Sequence, residues 1–226
     1  MSLILCIETA TKTCSVALAK DGKCIANIEE HDIQSHAGKL TEFIQEAMRL
    51  TSYKMSDLNA IAISIGPGSY TGLRIGLSAA KGLCYSLDIP LISINTLQGL
   101  AAGMIKEDDK QDIYIPCFDA RRDEIYYAVY DKNLQEIEPA QPHILSENSF
   151  FNYSNKNTLI AGSGTDKTLK AINIPNKFKK NFSIITTKNL VEISENLYKK
   201  SIFADVAYIE PQYLKPFIGT KPKQHI

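Results

Sequence analysis

The feature that most limits what this chain can fold into is a short, mostly apolar segment, Ala60-Ile61-Ala62-Ile63-Ser64-Ile65, which runs into Gly66-Pro67-Gly68-Ser69 and then into a helical pattern ending near Leu87. Such a run reads as a buried strand; the Gly-Pro-Gly turn ends it and Ser69 caps the following helix. Leu91-Ile92-Ser93-Ile94, after Pro90, supplies a second strand, so this stretch is a strand–helix–strand unit. Upstream the pattern is different. Residues 3–7, 14–19 and 23–28 read as strands, the last two joined at Asp21-Gly22, which makes an antiparallel meander. From His36 the apolar residues Leu40, Phe43, Ile44, Ala47 and Met48 fall at helical spacing, fading near Ser52. A meander followed by alternating helix and strand implies an α/β fold with a mixed, helix-covered sheet.

A second unit starts past Met104, where Lys106-Glu107-Asp108-Asp109-Lys110 is polar throughout. Residues 113–118 and 125–130 read as a hairpin around Asp119-Ala120-Arg121-Arg122-Asp123; a strand follows at 158–161, and a short helix at 190–198. With 226 residues the chain has enough length for two lobes, expected at 1–104 and 105–226, the final segment being free to pack back on the first. No internal repeat is visible.

Charge excludes little globally, since 25 basic residues balance 25 acidic ones. The halves differ: residues 151–226 carry twelve Lys and five acids, and residues 1–150 carry 13 basic residues and 20 acids, a split of +7 and −7. Five scattered cysteines with no C-x-x-C spacing argue against a disulfide framework or a zinc site. No apolar run approaches 18 residues and the start lacks a charged leader, so a cytoplasmic location is expected, with no membrane partner.

Several positions carry chemistry. The Gly66–Gly76 run lies where backbone amides and a helix dipole can hold phosphate, but it is neither a Walker loop nor G-x-G-x-x-G. Ser69 has glycine on one side only, unlike a hydrolase elbow, and His31, His36, His143 and His225 form no i, i+4 metal pair. Gly72, Gly76 and Ala80 recur every four residues, with Ala79, Leu83 and Leu87 beside them. That bare face admits either a helix of the same fold or one of another subunit. Arg74 lies off the stripe, for an ion pair or for solvent. Arg121-Arg122 fits a partner's carboxylates, tRNA phosphate, or a plain charged hairpin tip.

The residues Gly66-Pro67-Gly68-Ser69-Tyr70-Thr71-Gly72-Leu73-Arg74-Ile75-Gly76, then Ala80-Lys81-Gly82-Leu83, Ile89-Pro90-Leu91 and Asp119-Ala120-Arg121-Arg122-Asp123-Glu124-Ile125-Tyr126 together resemble the TsaB (YeaZ) family. The likeness runs in order over roughly residues 3–130; Pro211-Gln212-Tyr213-Leu214-Lys215 resembles the family's closing motif. It implies the actin-like (ASKHA), ribonuclease-H-like fold and a non-catalytic role in making N6-threonylcarbamoyladenosine at position 37 of ANN-decoding tRNAs. The implied partners are the catalytic paralogue TsaD, the ATPase TsaE, tRNA only through the complex, and a second copy of the chain when TsaD is absent. ATP and a metal ion would belong to those partners, with no cofactor held firmly by this chain. Thr96 and Leu100 stand where the catalytic paralogue carries two metal-binding histidines, and neither replaces imidazole.

The resemblance further implies that the first two long helices dock the partner, through Leu40, Phe43, Ile44, Ala47 and Met48 with Gly72, Gly76, Ala79, Ala80 and Leu83. Gly76→Leu is then expected to block docking and spare the monomer. Glu8-Thr9-Ala10-Thr11 resembles the phosphate turn of actin-like ATPases with Ala10 in the place of a glycine, so Glu8, Thr9, Gly66, Gly68 and Ser69 are the positions nearest any nucleotide. Two other readings stand beside this one. One is a free-standing actin-like ATPase or glycoprotease-like hydrolase; the other is a nucleic-acid binder using Lys167, Lys170, Lys177, Lys179 and Lys180.

Overall fold

The computed structural model describes residues 1–31, 36–173, 178–181 and 184–215. Strands β1 (Leu3–Glu8), β2 (Cys14–Lys20) and β3 (Lys23–Glu30) form the meander. It turns at Asp21 and Gly22, both at positive φ (49° and 75°), as a two-residue hairpin turn requires. β1 also pairs in parallel with β4 (Ala60–Ser64), from Ile4 opposite Ala60 to Ile7 opposite Ile63, and β4 pairs in parallel with β5 (Leu91–Ile94). The order is β3-β2-β1-β4-β5, with α1 (His36–Thr51) and α2 (Tyr70–Leu87) as the crossovers.

The second sheet repeats the first, strand for strand. β6 (Ile113–Asp119), β7 (Glu124–Asp131) and β8 (Glu136–Ile144) form an antiparallel meander, and β6 continues in parallel to β9 (Thr158–Ala161) and β10 (Phe178–Asn181), in the order β10-β9-β6-β7-β8. Helices α3 (Thr96–Glu107), α4 (Thr165–Ala171) and α5 (Thr187–Lys199) complete the described residues' α-helices. Two meander-plus-crossover sheets in one chain make the actin-like, ribonuclease-H-like duplication that sequence periodicity does not reveal.

Strand alternation builds the layers. Leu3, Leu5 and Ile7 of β1 point to one face, where α1 and α2 cover them with Leu40, Phe43, Ala47, Leu77 and Ala80. Ile4 and Cys6 point to the other face, into a cluster with Leu97, Leu100 and Met104 of α3, Leu190 and Ile193 of α5, and Tyr114, Phe118 and Leu159 of the second sheet. Each fully buried aliphatic there contributes about 1.5–3 kcal/mol. The two helices are thus sandwiched between the sheets. α3 continues to Glu107, past the boundary expected at residue 104, and a single apolar cluster spans both sheets. The end of the expected 105–226 unit packs on the first sheet, α5 against its inner face and Val206 and Ile209 against its outer cluster.

β8, α4 and β10 escape the sequence reading. β8 is an edge strand carrying Pro139 and Pro142, which an edge tolerates because one row of its amides has no strand to pair with.

Candidate functional site

The strand β4 delivers the chain into a turn that is closed on its own surroundings. Gly66 has φ 131°, donates its amide to Thr96 Oγ1 (3.0 Å) and accepts the Thr96 amide (2.8 Å). A Cβ at Gly66 would lie 2.5 Å from the Gln212 carbonyl oxygen, and one at Gly68 would strike the Ala10 carbonyl and its Cβ. The Ser69 amide donates to Ala10 O (2.6 Å), and the Ser69 hydroxyl accepts the Gly72 amide (3.2 Å), capping α2. Thr9 Oγ1 donates to Gly72 O (2.8 Å). Glu8, Thr9, Gly66, Gly68 and Ser69 therefore do come together. Their glycines serve backbone-to-backbone approach within the chain, and the Gly66 and Ser69 amides are already engaged, so neither faces an anion.

Glu8 lies beneath this turn, wholly buried. Its Oε1 accepts the Ala10 amide (2.5 Å), whereas Oε2, like the neighbouring Ser64 hydroxyl, has no hydrogen-bond partner. Burial pushes its pKa up to about 7, opposed by the nearby Ser64 hydroxyl and the Ala10 and Thr9 amides; the Ser64 approach falls short of a hydrogen bond. A wholly buried carboxyl whose proton is held up to about pH 7, beneath a turn whose Gly66 and Ser69 amides are already engaged, does not fit a metal or a nucleotide phosphate.

The partner face differs from expectation. Gly72 and Ala80 are buried, and a Cβ at Gly76 would overlap Thr9 Oγ1 and come within 3.0 Å of Ile63 Cδ1. The stripe Gly72-Gly76-Ala80 is thus an internal seam of α2 against β1 and β4. Leu40, Phe43 and Ala47 are likewise turned into the outer core. Ile44, Met48, Ala79 and Leu83 instead line an open groove of about 730 Å³ between α1 and α2, with Thr41, Gln45, Arg49, Ser52, Tyr53, Met55, Ser78 and Gly82. Gly82, read only as part of a motif, is exposed, with nothing within 4 Å of where its Cβ would stand. The small residues that keep the outside of α2 bare are Ser78 and Gly82, half a turn from the expected stripe.

At the start of α3, Thr96 and Leu100 are both fully buried, Thr96 holding Gly66 and Leu100 set among apolar side chains. No cluster of three His, Cys, Asp or Glu able to hold a metal occurs among the described residues. Arg121 and Arg122 occupy consecutive left-handed positions (φ 68° and 48°) at the exposed β6–β7 tip. Three lysines of the basic end are already paired: Lys167 with Asp119 (2.5 Å), Lys179 with Asp108, and Lys180 with Asp166. Lys177 and His225 lie outside the described residues.

The final segment, expected to be free to pack back on the first lobe, forms a strap whose contacts sequence reasoning did not foresee. Residues 204–215 run back across α2: Ala204 bridges β5 at Leu91, Gln212 donates its amide to Ile65 O (2.7 Å), and its side chain accepts from Asn95 Nδ2 (2.9 Å). Lys81 Nζ donates to Ala207 O and Ile209 O (both 3.2 Å). Tyr213 stacks on Tyr70 (4.9 Å), and the Arg74 guanidinium lies 4.1 Å above the Tyr70 ring while its Nε donates to the Tyr213 hydroxyl (2.9 Å). Lys215 then reaches the second lobe, pairing with Glu124 and lying over Tyr126. Much of the motif around Gly66, Arg74 and Lys81 thus holds the chain's own end, which no spacing rule could signal.

Fold and site together define an actin-like protein whose phosphate turn is filled by its own backbone and whose first two long helices leave an apolar groove open. The chain belongs to the TsaD family, whose model, described as tRNA N6-adenosine threonylcarbamoyltransferase, matches residues 23–223. Among curated relatives it is similar to the tRNA threonylcarbamoyladenosine biosynthesis protein TsaB of Escherichia coli strain K12, 35% identical over 130 residues, 58% of this chain and 55% of that one. The Bacillus subtilis strain 168 protein of the same name is 34% identical over 64% of this chain and 63% of its own length. The matches thus span a little over half of these relatives. A Pseudomonas aeruginosa structure described as similar to the peptidase YEAZ superposes with TM-score 0.82 at 22% identity, over 95% of this chain and all of that one. YeaZ from the same organism gives 0.78 over the same shares, and both support the fold.

Proposed function

We propose that this chain is a non-catalytic subunit of the machinery that forms N6-threonylcarbamoyladenosine at position 37 of ANN-decoding tRNAs, where it docks and supports a TsaD-like catalytic paralogue together with a TsaE-like ATPase. The observation that carries this reading is the α1–α2 groove. It is a large, mostly apolar concavity, lined by Ile44, Met48, Ala79 and Leu83 where the family resemblance puts the partner. The buried Thr96 and Leu100, in place of metal-binding histidines, support a role without its own transfer chemistry. ATP and metal are assigned to the partners, tRNA contact is indirect, a second copy occupies the groove when the paralogue is absent, and the setting is the cytoplasm. No helix among the described residues is long and apolar enough to cross a membrane.

The test is reconstitution of tRNA modification from the TsaD-like and TsaE-like proteins and the threonylcarbamoyl-adenylate synthase, with and without this chain. Modification that depends on the chain, while the isolated chain neither turns over ATP nor cleaves protein, is the expected result. Equal modification in its absence would remove the reading.

A further inference from the structure

The two arginines at the β6–β7 tip sit in a backbone conformation that costs them more than it would other residues. A left-handed position suits Gly, Asn or Asp, and the β2–β3 hairpin fills its two with Asp21 and Gly22. The β6–β7 turn fills two consecutive ones, at φ 68° and 48°, with Arg121 and Arg122. Both residues are exposed, and among the described residues neither guanidinium forms an ion pair within 4 Å. The turn is held through its backbone instead. Arg121 donates its amide to Asp119 Oδ1 (2.7 Å), the Arg121 carbonyl accepts the Glu124 amide (3.2 Å), and Ala120 donates to Glu124 O (3.0 Å). Asparagine or glycine would serve that backbone at less strain, so what arginine adds at these positions is its side chain.

The duplication of the sheets gives the tip its place. It is the second lobe's counterpart of the β1–β2 turn, and each is clasped by the turn that precedes a crossover helix: Ala10 O by the Ser69 amide in the first lobe, the Asp119 amide by Ser163 Oγ (3.1 Å) in the second. In the first lobe Thr9 and Ala10 are buried by that clasp. In the second the clasp stops at Asp119 and leaves Arg121 and Arg122 outside. Two of the three nearby acids are already engaged. Asp119 pairs with Lys167 (2.5 Å), which also donates to Glu124 O (3.0 Å), and Glu124 pairs with Lys215 of the strap. Asp123 is the third, so the turn and the two lysines gripping it carry four cations to three acids, an excess that falls on the arginines.

We infer that the β6–β7 tip is a phosphate-binding site, in which Arg121 and Arg122 together hold one phosphate group, of a nucleoside polyphosphate or of an RNA backbone. A guanidinium fork makes two parallel N–H···O bonds to such a group, and its several oxygens can satisfy two forks at once, where the two oxygens of a carboxylate satisfy one. The site is separate from the α1–α2 groove. Lys215 reaches the turn from beside Tyr213, which stacks on Tyr70 at the first residue of α2, whereas Ser78 and Gly82 of the groove lie about 12–18 Å further along that helix. The inference therefore stands or falls apart from the docking reading.

The experiment titrates the isolated full chain at low salt with pyrophosphate, with ATP and with a short single-stranded RNA, following backbone amides by NMR. Saturable shifts centred on the turn from Asp119 to Glu124, lost as salt rises, are the expected result. Arg121→Gln and Arg122→Gln should each weaken binding about tenfold, Arg122→Lys, which keeps the charge without the fork, should weaken it less, and Asp123→Asn should strengthen it. Arg122→Asn adds a second readout: the melting temperature should hold or rise while phosphate binding falls, because asparagine tolerates the left-handed position. Tighter binding of RNA than of pyrophosphate or ATP assigns the backbone as the source; pyrophosphate or ATP binding at least as tightly as RNA assigns a polyphosphate. Absence of binding, binding left intact by the arginine variants, or equal binding of a glutamate-rich peptide would overturn the inference.

Discussion

The two sides of α2 use small residues for opposite ends. On the inner side, Gly72, Gly76 and Ala80 let the helix backbone settle against β1 and β4, so that Thr9 reaches the Gly72 carbonyl and Ile63 lies under Gly76. On the outer side, Ser78 and Gly82 keep a ridge bare between an apolar groove and two fixed cations. Composition alone does not separate the two roles. What separates them is which side already has a neighbour: the inner stripe completes the chain's own core, and the outer one borders an open groove.

A pair of substitutions breaks this comparison most directly. Gly76→Leu must push into Thr9 and Ile63 in a core packed on both sides, and should destabilise the monomer by about 3 kcal/mol or more. This reverses the expectation that the change would spare the fold. Gly82→Leu meets open space and replaces the poorest non-proline helix former, so monomer stability should hold or rise by up to about 1 kcal/mol. Thermal melts of the two proteins decide it. Equal melting temperatures would mean the inner seam is not as tight as described.

Deeper on the inner side, Glu8 allows a test by pH. Its folded-state pKa, near 7, lies above the unfolded value of 4.5, so the folded state holds the proton more tightly. The sign follows: stability is full below about pH 4.5, falls as pH rises toward 7, and levels off above it. The drop is at most about 3.5 kcal/mol, since the two values differ by about 2.5 and each pKa unit is worth about 1.4 kcal/mol. Glu8→Gln, which cannot ionise, should remove most of that slope and leave the variant more stable than wild type at pH 8. Parallel denaturant titrations at pH 5 and pH 8 read the difference. A wild-type slope unchanged by the substitution would assign it to another group.

How much of this was legible follows the same division between local and distant causes. The β4–turn–α2 unit, the meander and the 113–130 hairpin were readable because strand alternation, turn glycines and helical spacing are local signals. The direction of α2 was not, since Gly72-Gly76-Ala80 and Ser78-Gly82 are both small-residue rows, and only the position of Thr9, more than sixty residues earlier, decides which one is buried. The return of the final segment was expected only as an option, and its contacts were invisible for a like reason: Gln212 on Ile65 and Tyr213 on Tyr70 are long-range contacts written in no periodicity. The duplication of the two sheets was hidden because β8 and β10 carry prolines or lysines where β3 and β5 carry none or fewer.

The smallest effect sits where the two sides of α2 meet, at the residue that caps its start. Ser69 ends the turn by giving its amide to Ala10 and starts the helix by accepting the Gly72 amide through its hydroxyl. Ser69→Ala keeps the first bond and loses the second, leaving one helix-end donor to solvent. The expected cost is about 1 kcal/mol, a fall of roughly 2–4 °C in melting temperature for a chain of this size. Because the backbone clasp on Ala10 is retained, docking to the paralogue should be unchanged. A loss of binding out of proportion to that small fall would mean the cap also sets the angle of α2 beside the groove, and would tie the inner and outer faces more closely than their separate contacts indicate.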